Sequence, residues 1–207
     1  QAIPMMMDFA ESNIVGSSSG SLKSQVKWIS MFLNEESYNQ FYSNCENTAS
    51  GDVNQFGEKY IDIVITDPPY FDAIAYADIS DFFYVWLKRI IKEEYPYNFA
   101  IPLTPKSAEC TALKHHHNND FKEAEIHFET TLNSIFKAIE YQTKDLIGIM
   151  FAHQSTKAWT TLCNSILNAN LNLNGSWSID TERSNAGMKA DKAFLTSSIT
   201  VVCQPSE

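Results

Sequence analysis

The tetrapeptide Asp67-Pro68-Pro69-Tyr70 combines groups that few surface turns bring together. Asp67 offers a carboxylate acceptor. Pro68 and Pro69 stiffen the backbone, and each keeps a carbonyl acceptor while lacking an N–H donor. Tyr70 adds a flat ring with a polar tip. An amine needs acceptors for its two N–H bonds, and a planar heterocycle needs a face to stack on; the four residues supply both. Other polar residues stand where they would reach a ligand. Phe71 follows Tyr70 directly. Lys106 lies in a loop and has the charge for a phosphate, although an ordinary surface lysine fits as well. His153 follows a strand, a site-like position that a structural histidine also fills. Asn47 precedes the Asp67 strand, where a polar loop is the plainer reading. His115, His116 and His117 are adjacent in a polar loop. Such neighbours do not converge as a preformed metal site does, so they read as a solvated loop, and no metal is expected.

These residues need elements to hold them. Ile61 to Ile65 is a short β-branched run that suits a strand buried on both faces of a parallel sheet. The two prolines end it. Ligands of open α/β sheets bind just beyond the carboxyl ends of strands, which is where Asp67 falls. Ile79, Phe82, Phe83, Trp86 and Ile90 then share one helical face and are expected in the core, with Asp78 or Ser80 as the cap. Residues 95–119 carry Pro96, Pro102 and Pro105 and form a long loop, a length that tends to be functional. Further helices are expected over 24–42, 121–142 and 157–169, and further strands over 146–151, 171–180 and 198–203. The alternation points to an α/β sheet in one domain, residues 1–207.

Composition narrows the options. Of 207 residues, 25 are acidic and 15 basic, giving a net charge of −10. A nucleic-acid binder is usually basic, so phosphate contacts would have to come from elsewhere. The four cysteines form no CxxC pair, which argues against zinc and disulfide frameworks and fits a reducing cytoplasm. No apolar stretch approaches the ~18 residues of a membrane span.

Val64 to Tyr70 resembles the DPPY motif of amino-methyltransferases. Tyr76 to Arg89, Thr104-Pro105-Lys106, Ala152-His153 with Trp159, Trp177 to Glu182 and Met7 to Glu11 extend the resemblance to adenine-specific DNA methylases with a DUF1156 region. The resemblance implies a Rossmann-like fold with a mostly parallel sheet and S-adenosyl-L-methionine as methyl donor. It implies N-methylation of a base flipped out of DNA, with adenine N6 the favoured target and a restriction-modification setting. Asp67 and the Pro68 carbonyl would hold the amine, Tyr70 would stack on the base, and Phe71, Lys106 and His153 would be substrate contacts. Asn47 and Asp67 would touch the donor. The glycine loop that holds the donor in such enzymes has no counterpart, so the chain reads as the carboxyl-terminal half of the fold, or as one subunit of a split enzyme needing a partner. Two alternatives stay open: an RNA guanine-N2 methyltransferase, and a catalytically incomplete scaffold or regulatory subunit.

Overall fold

The computed structural model describes residues 15–16, 21–38, 41–179 and 198–206. They fall into two compact units, residues 1–47 and 48–207. Met7 to Glu11 and residues 180–182 of the resemblance lie outside the described residues. In the first unit, α1 runs Leu22–Glu36, and the Ser21 hydroxyl caps it by accepting from the Ser24 N–H at 3.3 Å. It ends earlier than its periodicity suggests, and Trp28, Ile29, Phe32 and Leu33 are exposed.

The second unit is an α/β structure. Its strands are β1 (Ile61–Thr66), β2 (Thr143–Phe151), β3 (Leu171–Ile179) and β4 (Ser198–Pro205). Its helices are α2 (Tyr76–Ile91), α3 (Phe121–Gln142) and α4 (Thr156–Asn168). The sheet order is β1-β2-β4-β3. β1 and β2 are parallel, with Val64 opposite Ile147, whereas β4 is antiparallel to both β2 and β3. The sheet is therefore mixed, which corrects the mostly parallel expectation. Periodicity reports which face a strand buries, not which way it runs.

α3 shows how the sequence builds the core. The Asp120 carboxylate caps it by accepting from the Lys122 and Glu123 N–H groups at 2.8 and 3.4 Å. Ala124, Phe128, Leu132 and Phe136 recur every four residues and are buried. The helix ends where Thr143 turns extended and its hydroxyl donates to the Ile139 carbonyl at 2.6 Å. α4, capped by Ser155, adds Leu162 and Ile166 beside α3. Together they cover one face of the sheet, burying Ile147, Ile149 and Phe151 of β2 with Val201 and Cys203 of β4. Each of the isoleucine, phenylalanine and valine side chains contributes about 1.5–3 kcal/mol when fully buried.

The other face is bare among the described residues. Ile63 and Ile65 of β1 are 57% and 81% exposed, and Leu146, Trp177 and Ile179 are exposed as well. β1 is thus an edge strand rather than one buried on both faces. Phe82, Phe83 and Trp86 of α2 are also exposed, at 65%, 60% and 54%, where a core role was expected. Helical spacing puts apolar residues on one side without saying what covers that side. No helix among the described residues is long and apolar enough to cross a membrane.

Candidate active site

Asp67-Pro68-Pro69-Tyr70 leaves the carboxyl end of β1, as its sequence position requires. The Asp67 side chain is exposed and Pro68 is buried beneath it. The Tyr70 hydroxyl stands 3.5 Å from Asp67 Oδ2, longer than a firm hydrogen bond. The edge of the Tyr70 ring meets Phe151 of β2, with centroids 5.8 Å apart. The Phe71 N–H donates to the Pro69 carbonyl, and the Ala73 N–H to the Tyr70 carbonyl, both at 2.9 Å. No hydrogen bond among the described residues uses the Pro68 carbonyl. The loop therefore presents an exposed carboxylate, an unengaged carbonyl and a half-buried aromatic ring.

Phe71 anchors the loop from below. Its side chain is only 3% exposed and meets Phe128 edge to face at 5.1 Å. Its φ is +50°, a left-handed conformation that is strained for a bulky residue. Its carbonyl accepts from the Ala112 N–H at 2.9 Å, which ties the loop to the long segment 95–119. His153 lies beside the Phe71 ring, with centroids 5.6 Å apart. Its Nδ1 accepts from the Ser155 N–H at 2.9 Å and its Nε2 faces Asp72 Oδ1 at 3.2 Å. The Trp159 indole donates to the His153 carbonyl at 2.8 Å. Both ring nitrogens of His153 thus have partners within the fold.

Lys106 pairs with Asp81, whose other oxygen accepts from the Thr104 N–H and hydroxyl at 2.8 and 2.6 Å. These bonds, Lys106 first, hold the Asp81 carboxyl down to about 2. Asp81 therefore fastens α2 to the long loop. Asn47 is exposed and belongs to the first unit.

Sequence reasoning passed over two features. Tyr76, at the start of α2, sets its phenol against the Tyr70 backbone, which lowers it, but burial first and then the charges of Asp67 and Glu109 push it up overall. Its place in the run Tyr76 to Arg89, part of the family resemblance, was the available signal, although nothing local marked it. Glu109 supplies the missing helix cap, accepting from the Ala77 N–H at 2.9 Å, because the residue before α2 is Ala75. The histidines also converge, where the sequence suggested that adjacent rings would not. His115 and His116, in a 3-10 turn over Lys114–His116, both bring Nε2 to Asp78 Oδ2, at 3.0 and 2.8 Å. The single Asp78 oxygen at the opposing helix start meets both rings, a convergence that adjacency alone does not give.

No protein-family model matches the chain, and no curated protein matches it. Among solved structures, three crystal structures of TTHA0409 from Thermus thermophilus, assigned as a DNA modification methylase, are similar to it. The selenomethionine derivative shares 9% identity at a TM-score of 0.40, covering 78% of this chain and 52% of that one. The native form shares 10% at 0.41, covering 78% and 53%. The form complexed with S-adenosyl-L-methionine shares 9% at 0.42, covering 77% and 54%. The chain thus spans about half the length of these neighbours. Likeness at this level carries neither an activity nor a family across.

Proposed function

We propose that this chain provides the amine-holding part of an S-adenosyl-L-methionine-dependent methyltransferase acting on an exocyclic amine of a DNA base, with adenine N6 as the target. The observation that carries the reading is the Asp67 to Tyr70 loop at the carboxyl end of β1, with its exposed carboxylate and unengaged Pro68 carbonyl. Both are acceptors only, which suits an amine with two N–H bonds and also a cationic sulfonium. S-adenosyl-L-methionine supplies a methyl group on sulfonium sulfur when bound. Asp67 and the Pro68 carbonyl accept from the amine and aim its lone pair out of the ring plane. Tyr70 stacks on the base, and Phe71 and His153 hold the loop still. The contribution is mainly orientation, which is worth several kcal/mol in such displacements.

The outer edge of β1, unpaired among the described residues, and the exposed apolar residues of α2 support a further part of the proposal: another segment or subunit completes the sheet and holds the donor. The phosphate contacts fall to that part as well, since Lys106 is engaged by Asp81. The test expresses the intact gene in a host lacking the mark, with Asp67→Ala as control, and measures N6-methyladenine in hydrolysed DNA by mass spectrometry. The mark is expected only with Asp67 present. A host whose DNA stays unmodified while its RNA gains N2-methylguanine would replace this reading with the RNA one.

A further inference from the structure

We propose that Asp78, His115 and His116 bind a divalent transition-metal ion, zinc above all. Their three ligand atoms, one carboxylate oxygen and two imidazole nitrogens, lie within 4.8 Å of one another. They come from two elements, the first turn of α2 and the 3-10 turn. Two histidines and one carboxylate suit zinc and leave a fourth position for water. Zinc bonds of about 2.0–2.2 Å at tetrahedral angles place neighbouring ligand atoms roughly 3.3 Å apart. The Asp78 contacts of 2.8 and 3.0 Å therefore open by less than ~0.6 Å, a small adjustment for side chains as exposed as Asp78 and His115.

The second observation lies behind the cluster. The His116 side chain is only 5% exposed, and its Nδ1 stands 3.8 Å from Glu109 Oε2. Neither atom has a hydrogen-bond partner, and both are buried. Glu109 Oε1 is occupied by the Ala77 N–H, so its carboxylate is fixed in place. If a neutral His116 donates from Nε2 to Asp78, its Nδ1 lone pair points at a buried carboxylate, which is repulsive. With Nε2 on a metal, the proton moves to Nδ1 and faces Glu109. This is the carboxylate–histidine–metal arrangement that orients ligating histidines elsewhere. The ion would fasten the start of α2 to the 3-10 turn, a few residues beyond Tyr70. The competing state is an imidazolium held between Asp78 and Glu109, which needs no metal.

The test titrates zinc chloride into the chelator-treated full chain by calorimetry. One equivalent is expected, in the micromolar range or tighter, with a rise in melting temperature. Asp78→Asn with His115→Ala, both at partly exposed positions that leave the core intact, is expected to weaken binding more than tenfold and abolish the thermal shift. Glu109→Gln, which touches no metal, is expected to weaken it about 10–100-fold. Binding of one equivalent that survives the double variant, as zinc on an exposed thiol such as Cys163 would, overturns the proposal. So does an absence of one-to-one binding in the unaltered chain.

Discussion

Replacing Phe71 with glycine should leave a more stable protein than replacing it with alanine. Both changes delete a ring that is 3% exposed and packed on Phe128, Phe121 and His153. Truncating a buried phenylalanine to alanine costs about 3–5 kcal/mol. The backbone separates the two variants, because φ at this position is +50°. A side chain with a Cβ costs about 1–2 kcal/mol in that region, and glycine escapes the cost. Glycine in turn loses about 0.4–1 kcal/mol through the freer unfolded chain. At the midpoints of these ranges the glycine variant is therefore ahead by about 0.8 kcal/mol. Urea unfolding followed by far-ultraviolet circular dichroism measures this. With a slope of about 2 kcal/mol/M, the alanine variant melts about 2 M earlier than the parent and the glycine variant recovers about 0.4 M. An alanine midpoint equal to or above the glycine one refutes the claim that the loop stores backbone strain at Phe71.

Three further outcomes follow from the same structure. Asp67→Ala should lower methyl transfer at least about 10²-fold through lost orientation, while Tyr70→Phe, which keeps the ring and loses only a long contact at 3.5 Å, should stay within about tenfold, as read by transfer of tritiated methyl to DNA in the intact enzyme. The Asp81 carboxyl is lowered from 3.8 to about 2 in the folded state, so its stabilising effect is present above about pH 4 and is lost as pH falls towards 2; Asp81→Asn should destabilise at neutral pH and flatten the acid limb of a melting-temperature profile. Cys45 and Cys163 are exposed, whereas Cys110 and Cys203 are buried, with burial pushing their thiols up to about 12 and 11. Two thiols should react quickly with an aromatic disulfide reagent and two only on unfolding; four fast thiols would contradict the burial.

Much of this was legible because local rules and tertiary structure agree. α3 occupies residues 121–142 as its spacing implies, since Asp120 caps it and its apolar residues repeat every fourth position. The loop after β1 is where two prolines must end a strand. What was not legible depends on partners distant in sequence. Phe82 and Trp86 form a correct helical face, but spacing is silent on whether anything covers it. Ile63 and Ile65 read as core for the same reason. The reversed direction of β4 leaves no periodic mark. His115 and His116 acquire a purpose only when Asp78, 37 and 38 residues away, is folded against them.

The sheet order also dictates when this protein can fold. β4 is made last of the four strands, yet it lies between β2 and β3. Among the described residues β3 pairs with β4 alone, so it waits for β4, and the inner edge of β2 waits for the same interval. At ~5–20 residues per second, synthesis from the end of β2 to the end of β4 takes roughly 3–11 s. During that time the open edge at Ile147 to Phe151 is a template for pairing with another chain. Truncation before Ser198 would not shorten the sheet by one strand; it would cut the sheet in two, leaving β3 joined only through α4.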